Sequence, residues 1–365
     1  MRSDAPRLLI VRLTAIGDVV HTLPAAAALR RHLPGARIDW LVDRRAAAIL
    51  DGVPIIDRRI VLDGKRLLQR PWLAWPALRE LREVRYDAVF DLQGLFKSAL
   101  ASALARSSAT FGFDDDEMRE PFAGGLYSRR VSPPPASHVI ARGLAMVGEY
   151  LDRPQVIDER WEFPLAADPA RDAAMREQLG ESGDDDHSPL IVINPGAGWL
   201  TKRWPAGRFA EVAHQLLMHP LPDGRDVRVM ITWGPGEESA RDAIRSRIPP
   251  LLRPRLFDFA TTLPDLVAVL RRAALFVGGD TGPMQLAAAL GTPTVALFGP
   301  TWPHRNGPFT PADRAAVVWH RLACSGCYGK TCRLLPPGAT RLPECLERIA
   351  VTDVVAAIAR RLSAS

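Results

Sequence analysis

Apolar positions follow two alternating rhythms in the first half of the chain. Short, almost uninterrupted apolar runs predict buried strands, whereas apolar residues at helical spacing predict amphipathic helices between them. The predicted strands cover 8–13, 38–42 and 88–91, and the predicted helices cover 19–33, 73–84 and 96–105. Strands that alternate with helices form a parallel sheet covered on both faces, so this half predicts one doubly wound α/β domain.

The second half repeats this rhythm after a break. Residues 164–188 turn acidic and glycine-rich, which indicates a solvated connection. Strands are then predicted at 190–194, 227–232, 256–258, 275–278 and 294–297, and helices at 205–218, 237–247, 263–273 and 284–290. The pattern predicts two Rossmann-like, doubly wound domains, since 365 residues also exceed the usual size of one core. The predicted parts are an N-terminal domain (1–165), a linker (166–188), a C-terminal domain (189–345) and a C-terminal helix (346–365).

The loop after the first predicted strand carries the first candidate for chemistry, because such sheets bind ligands at the carboxyl ends of their strands. Only Gly17 of a Gly-x-Gly-x-x-Gly fingerprint is present there, which disfavours a dinucleotide site. Asp18 follows at the start of a predicted helix. Its carboxylate has two interpretations that stay open on the sequence: it caps exposed backbone N–H groups, or it takes a proton from an incoming hydroxyl.

Two loops of the second half favour a phosphate-binding site. The loop at 195–205 contains small residues that let the backbone approach a phosphate, and its Lys202 is one of only four lysines in the chain. At 275–283 a strand ends in glycines and a helix begins at Pro283, so that the N–H groups of the first helical turn face the loop. Thr281 adds a hydroxyl group to the same loop. A plain strand-to-helix turn would need fewer special residues.

A third loop places Glu237 and Glu238 at the start of a predicted helix. Acidic residues at that position favour the helix dipole whatever the function. A carboxylate beside a phosphate pocket also accepts hydrogen bonds from a ribose or a base. Both interpretations stay open at this point.

Charge narrows the class of partner. The formal net charge is +6, but arginines dominate the 47 basic residues and form neither a tail nor a stripe interleaved with aromatics, so we expect no nucleic-acid partner. The stretch 58–70 contains five basic residues and a single acid, Asp63. It is interpreted either as a solvated loop or as an anion-binding rim.

Targeting and cysteine patterns give two further expectations. Arg12 interrupts the first apolar run before it reaches signal-peptide length, and no run approaches the ~18 apolar residues of a spanning helix, so we expect a cytoplasmic protein. All four cysteines fall in one window, as Cys324, Cys327, Cys332 and Cys345. They are interpreted either as a structural zinc site or as a buried or redox-active thiol cluster.

Several motifs, in this order and spacing, resemble those of the bacterial lipopolysaccharide heptosyltransferases of glycosyltransferase family 9, above all heptosyltransferase I. The resemblance extends from about residue 8 to residue 346. Its motifs are 17–24 (GDVVHTLP), 91–99 (DLQGLFKSA), 112–114 (GFD) near 119–121 (REP) and Tyr127, 202–205 (KRWP), and 279–283 (GDTGP).

The resemblance implies the GT-B architecture, in which two Rossmann-like domains face a cleft, with the acceptor on the N-terminal side and an ADP-sugar on the C-terminal side. It implies an inverting transfer of heptose from ADP-L-glycero-D-manno-heptose to the Kdo of Kdo-lipid A, in the biosynthesis of the lipopolysaccharide inner core. The implied location is cytoplasmic, peripherally associated with the inner membrane. No metal or other cofactor is expected for catalysis.

The resemblance also implies residue roles. By position, Asp18 matches the catalytic base and Lys202 matches a cation that meets the charge of the leaving ADP. The expected donor-binding residues are Thr14, Gly17, Gly198, Glu237, Asp280, Thr281, Gly282 and Gln285. The expected acceptor-binding residues are Lys97 and Arg119, together with Arg58 and Arg59 of the basic stretch.

Two departures from the family pattern keep alternatives open. Gln285 stands where the family commonly has His, and Ala197 and Gly198 stand where heptosyltransferase I usually has hydroxyl residues. One alternative is the same fold and mechanism with a different nucleotide-sugar donor. The other is a non-catalytic carbohydrate- or nucleotide-binding module.

Overall fold

The computed structural model describes residues 5–64, 72, 75–114, 120–181, 188–221, 224–311, 313–336 and 342–363. The chain divides into two compact units, Met1–Ala166 and Ala167–Ser365. Each unit is built around its own parallel sheet of six strands. No helix within the described ranges is long and apolar enough to cross a membrane.

Unit 1 is a doubly wound α/β fold. Its sheet has the strand order β3-β2-β1-β5-β7-β8, and β4 pairs separately with β6. The strands are β1 (Arg7–Val11), β2 (Arg37–Asp43), β3 (Arg58–Leu62), β4 (Arg85–Tyr86), β5 (Ala88–Asp91), β6 (Arg106–Ser107), β7 (Thr110–Phe113) and β8 (Arg129–Val131). The helices are α1 (Ile16–His32), α2 (Trp75–Glu83), α3 (Phe96–Leu104) and α4 (Val139–Leu151). This order places β1 at the centre and brings its carboxyl end beside that of β5.

The apolar runs of unit 1 form strands that are buried on both faces of the sheet, as their pattern predicted. Leu8, Ile10 and Phe90 are fully buried in the two central strands. A strand covered by helices on both faces must be apolar on both, so its sequence reads as a continuous run rather than as an alternation. The core thereby fixes the position at which the β1–α1 loop leaves the sheet.

Unit 2 repeats the same topology. Its sheet has the order β11-β10-β9-β12-β13-β14 and all its pairings are parallel. The strands are β9 (Leu190–Asn194), β10 (Arg228–Ile231), β11 (Leu256–Phe257), β12 (Leu275–Gly279), β13 (Thr294–Phe298) and β14 (Ala315–Trp319). The helices are α5 (Pro169–Gln178), α6 (Ala206–Met218), α7 (Glu238–Arg245), α8 (Leu263–Arg272), α9 (Gly282–Ala289), α10 (Pro303–Asn306), α11 (Glu344–Glu347) and α12 (Val351–Leu362). Both sheets thus have the strand order typical of dinucleotide-binding folds.

The predicted linker at 166–188 is partly wrong, because α5 lies within it. Asp168 caps this helix by accepting hydrogen bonds from the N–H groups of Ala170 and Arg171, and Pro169 occupies its first turn. Met175 is buried, and the helix packs against α8 of unit 2. Residues 182–187, the acidic part of the stretch, lie outside the described residues.

The interpretation of 58–70 as a loop is also wrong at its start. Residues Arg58–Leu62 form β3, an edge strand that pairs with β2. The two adjacent arginines interrupt the apolar pattern by which a strand is predicted. An edge strand tolerates such charged residues, whereas a central strand does not. Residues 65–70 lie outside the described residues.

Candidate active site

Asp18 lies at the carboxyl edge of the unit 1 sheet, in the first turn of α1. One carboxylate oxygen, Oδ1, is 2.8 Å from a guanidinium nitrogen of Arg12, and the side chain is 40% exposed. The other, Oδ2, accepts a hydrogen bond of 2.7 Å from the backbone N–H of Ala15. The capping interpretation is therefore correct in geometry, and it leaves the carboxylate open to solvent and to a substrate.

The surroundings of Asp18 keep it ionised. Burial acts to raise its pKa, but the charge of Arg12, the Ala15 hydrogen bond and the charge of His21 together lower it below the ordinary value of 3.8. A carboxylate with a lowered pKa is deprotonated throughout the neutral range. Asp18 can therefore accept a proton without first having to lose one.

Arg12 is held in place independently of Asp18. A second nitrogen of its guanidinium donates to the backbone carbonyl of Leu92, just beyond β5. Its side chain is only 15% exposed, so little water screens the ion pair with Asp18. This arginine was not among the predicted site residues, although a charged residue directly after a buried strand was a signal that could have identified it.

The loop after β5 supports the loop after β1. The side-chain carbonyl of Gln93 accepts hydrogen bonds from the backbone N–H groups of Leu13 (2.8 Å) and Thr14 (3.4 Å). Gln93 is itself positioned by Asp91, whose carboxylate accepts the N–H of Gln93 at 2.9 Å and the hydroxyl of Tyr127 at 2.8 Å. Burial raises the pKa of Asp91. Its contacts with Gln93 and Tyr127, rather than this pKa, assign it a structural role.

Thr14 and Gly17 lie in this supported loop of unit 1, whereas the other predicted donor-binding residues belong to unit 2. Thr14 is partly buried, and Gly17 lies in the first turn of α1. A contact of either residue with a donor stays a prediction.

Lys202 and Asp280 form the centre of the candidate donor site in unit 2. The Nζ atom of Lys202 lies 2.6 Å from Oδ2 of Asp280, and the two side chains are 17% and 10% exposed. The hydroxyl of Thr301, which is fully buried, donates to the same Oδ2 atom at 2.8 Å. The ring of Trp199 also lies 4.6 Å from the ammonium group. The sequence thus correctly placed Lys202 and Asp280 at one sheet edge, but it did not identify Thr301.

The start of α9 completes the edge of the unit 2 sheet. Thr281 precedes the helix, but its side chain does not cap the first turn. Its hydroxyl instead lies 3.3 Å from the carbonyl of Gly279 and 3.5 Å from Oδ1 of Asn194, at the end of β9. Backbone N–H groups in the first turn, beginning at Gly282, are therefore available to an anion, and the helix dipole favours one there.

Glu237 and Gly198 lie on two further loops at this edge. The carboxylate of Glu237 accepts the backbone N–H of Gly234 at 2.9 Å and lies directly against Gly196, where a side chain would displace that carboxylate. Gly196 therefore lets the loops after β9 and β10 approach each other. Gly198 faces open space instead, since a methyl group added there would contact nothing.

Gln285 is placed differently from the other predicted donor residues. Its side chain is only 3% exposed, and its amide nitrogen donates to the backbone carbonyl of Asn306 at 2.7 Å. The hydroxyl of Tyr328 donates to the Asn306 side chain at 2.7 Å. Gln285 therefore fixes the end of α10, and its contact with a donor stays a prediction.

Known proteins are similar to this chain in both sequence and architecture. The sequence profile of glycosyltransferase family 9 (heptosyltransferase) matches residues 75–337. Lipopolysaccharide heptosyltransferase 1 of Pseudomonas aeruginosa is 32% identical over an alignment that covers 90% of this chain and 88% of that protein. The chain belongs to glycosyltransferase family 9.

Solved structures agree with this family 9 assignment. The E. coli heptosyltransferase WaaC with ADP is 27% identical, with a TM-score of 0.69 over 85% of this chain and 92% of that one. WaaC with ADP-2-deoxy-2-fluoro heptose is 25% identical, with a TM-score of 0.71 over 96% and 98%. The predicted GT-B fold and the glycosyltransferase class are therefore confirmed.

The structure describes three of the four predicted acceptor residues of this family 9 member. Lys97 is exposed in the first turn of α3, and Arg119 lies outside the described residues. Arg58 instead contacts the fully buried carboxylate of Asp39 at 2.9 Å. Arg59 donates to the carbonyl of Ala47 at 3.0 Å and pairs with Asp51.

Arg58 therefore has a structural partner within unit 1, and the hydroxyl of Tyr86 also donates to Asp39, at 2.9 Å. Arg59 is exposed, and its partner Asp51 is 52% exposed. A contact of either arginine with the acceptor stays a prediction. Asp39 is a buried acid that needs a cation, and the structure supplies that cation from the neighbouring strand.

The four cysteines of the family 9 chain share one pocket. Its lining includes Cys324, Cys327, Cys332 and Cys345, and all four thiols are free. Burial, followed by the nearby thiols, raises the pKa of Cys345 to about 11. No three His, Cys, Asp or Glu side chains within the described ranges lie close enough to hold a metal ion.

Proposed function

We propose that this family 9 glycosyltransferase transfers heptose from ADP-L-glycero-D-manno-heptose to the Kdo of Kdo-lipid A, with inversion at the anomeric carbon, in lipopolysaccharide inner-core biosynthesis. The proposal is supported by the similarity to lipopolysaccharide heptosyltransferase 1 and to WaaC with an ADP-heptose analogue. The observation that carries it is Asp18, an accessible carboxylate whose pKa is lowered by Arg12 at the carboxyl edge of the sheet.

Asp18 acts as the base in this proposal. It takes the proton of the acceptor hydroxyl while the hydroxyl oxygen bonds to the anomeric carbon of the heptose. The bond between that carbon and the ADP oxygen breaks on the opposite face, and ADP leaves with the electron pair. One displacement from the opposite face inverts the configuration.

Unit 2 stabilises the leaving ADP in the same step. Lys202 and the first-turn N–H groups of α9 meet the charge that develops on the diphosphate. The diphosphate competes with Asp280 for the ammonium group of Lys202, which lies 2.6 Å from that carboxylate. Asp280 is then available to the heptose hydroxyls, and Glu237 to the nucleoside. This route uses no metal ion.

The acceptor side includes Lys97 and Arg119 in the proposal. Kdo and the phosphates of lipid A are anionic, so basic side chains near the acceptor lower the free energy of the complex. We also propose that the protein works at the cytoplasmic face of the inner membrane, because its proposed acceptor is a lipid.

Replacement of the base tests the proposal. Wild-type protein should add one heptose to Kdo-lipid A, as measured by mass spectrometry. Asp18→Asn should lower kcat by about 10²–10⁴ because the general base is lost. The rise in melting temperature caused by ADP should remain, since Asp18 is not among the proposed donor-binding residues. Loss of that rise, or unchanged turnover, would overturn the role of Asp18.

A second candidate keeps the mechanism but changes the sugar donor. It is favoured by Gln285, whose amide contacts Asn306, and by Ala197 and Gly198, which lack hydroxyl groups near Lys202. Turnover with a panel of ADP- and UDP-sugars separates the two candidates. A higher kcat/KM for a sugar other than heptose would establish the second.

A further inference from the structure

Unit 1 exposes a group of large apolar side chains. Trp72 and Trp75 are 66% and 71% exposed, Phe122 is 70% exposed, and Phe96 and Leu100 are 44% and 42% exposed. Single exposed apolar residues are common on folded proteins, but a group of them marks a surface that contacts something apolar.

Three of these side chains lie together. Phe96 and Leu100 are four residues apart on α3 and so share one helical face. The ring of Phe122, in the 3-10 segment Pro121–Leu126, lies 5.5 Å from the ring of Phe96. The segment packs against α3 through residues that include Ala99 and Ala123, leaving the aromatic rings outside.

The fold brings Trp75 to the same edge of the sheet. Helices of a doubly wound fold run back against their strands, so their first residues lie at the carboxyl edge. Trp75 is the first residue of α2 and Phe96 is the first residue of α3, and the two helices pack against each other. Asp18 lies in the first turn of α1 at this same carboxyl edge.

The sequence around the tryptophans is basic. Residues 64–79, which Asp63 and Glu80 flank, contain four basic residues and no acid, and both tryptophans lie within this stretch of sequence. Three of the four, Lys65, Arg66 and Arg70, lie outside the described residues, whereas Arg79 is exposed. Lys97, which follows Phe96, is exposed. Tryptophan and basic residues together are typical of segments that sit in the interface of an anionic bilayer, where rings enter the headgroup region and cations meet lipid phosphates.

We propose that Trp72, Trp75, Phe96, Leu100 and Phe122 form a membrane-docking surface that binds the interface of an anionic bilayer. Docking there holds the carboxyl edge of unit 1, with Asp18, against the layer of headgroups. A lipid-anchored acceptor is then presented to the base without leaving its membrane. This last step rests on the proposed function, whereas the binding of lipid does not.

Vesicle flotation with full-length protein tests the surface. The variants are Trp72→Ser with Trp75→Ser, and Phe96→Ser with Phe122→Ser. Wild-type protein should float with vesicles of phosphatidylethanolamine and phosphatidylglycerol, and poorly with phosphatidylcholine alone. Each double variant should reduce the bound fraction by about tenfold, since two rings leave the interface. Leu251→Ser, at a side chain of unit 2 that is 88% exposed, should change nothing.

A second measurement separates docking from sugar recognition. The double variants should raise KM for Kdo-lipid A embedded in vesicles, while turnover of a deacylated, water-soluble acceptor stays at the wild-type rate. Equal losses on both acceptors would assign the residues to the sugar site and overturn the proposal, as would wild-type protein that fails to float. If neither acceptor is turned over while flotation behaves as expected, the proposed function fails and the docking surface stands.

Discussion

The carboxyl edges of the two sheets have the same topology but are built from different contacts. In unit 2, polar side chains from separate loops contact one another, as Lys202, Asp280 and Thr301 do. In unit 1, Asp18 is held by Arg12 and by backbone, and Arg58 of β3 pairs with the buried Asp39. The fold therefore determines where a site lies. The chemistry of the site depends on which side chains at that edge are not already paired with buried groups.

This difference explains why the donor side is easier to recognise than the acceptor side. Diphosphate recognition needs a helix start, glycines and a cation in fixed order along the chain, so its residues form motifs. Recognition of a large anionic lipid needs only basic residues on a surface, and arginine is common in this chain for other reasons. Four substitutions test this contrast, from the largest expected effect to the smallest.

Lys202→Ala should have the largest effect of the four. In the proposed mechanism Lys202 meets the charge of the leaving diphosphate, so its removal should lower kcat/KM by about 10²–10³ and weaken ADP binding. Lys330→Ala, at an exposed lysine of the same unit, should leave both quantities unchanged. Steady-state kinetics and ADP titration provide the measurement. An unchanged kcat/KM in a folded Lys202→Ala protein would remove Lys202 from the donor site.

Arg58→Ala should act on stability rather than on the acceptor. It leaves the carboxylate of Asp39, which is 0% exposed, without its closest cation, so the free energy of unfolding should fall by about 3 kcal/mol. Arg44→Ala, at a guanidinium 71% exposed, should change it by less than about 0.5 kcal/mol. Denaturant unfolding measures both. A raised KM for the acceptor with unchanged stability would restore Arg58 to the acceptor site.

Arg12→Gln should shift the pH dependence of turnover. Arg12 lowers the pKa of Asp18, so its loss raises that pKa, and the fall in kcat/KM on the acid side should begin at a higher pH. In the wild-type protein, the stability from this pair is present above the ordinary pKa and is lost as the pH falls through the lowered one. Arg12→Lys should keep the wild-type profile. If the acid limb of the pH profile does not move in Arg12→Gln, Arg12 does not lower the pKa of the base.

Thr301→Val should have the smallest effect. It removes one hydrogen bond to Asp280 from a fully buried position, so the free energy of unfolding should fall by about 1 kcal/mol. Thr301→Ser keeps the donor and should behave nearly as wild type. If the two variants are equally stable in denaturant, the hydroxyl does not hold Asp280.

The elements that flank the site could be predicted because their patterns are strong. The apolar runs of β1, β9 and β12 and the helical spacing of α6 are properties of adjacent residues, and the structure has them within a few residues of the predicted bounds. The edge strand β3 was missed, because its charged residues face partners that only the tertiary structure provides.

The site itself could be predicted only in part. Lys202, Asp280 and Thr281 lie in short motifs that begin where strands end, and the structure brings them to one edge. The partners that tune or position them, Arg12 and Thr301, come from other parts of the sequence. Pairings of this kind depend on which loops the sheet order makes neighbours, and sequence spacing does not contain that information.

The anomeric configuration of the product tests the central claim most directly. The transferred heptose should be analysed by nuclear magnetic resonance after reaction of the wild-type protein with ADP-L-glycero-D-manno-heptose and Kdo-lipid A. A single displacement with Asp18 as base predicts a new glycosidic bond of opposite configuration to that of the donor. A product that retains the donor configuration, or no transfer of heptose, would contradict the account.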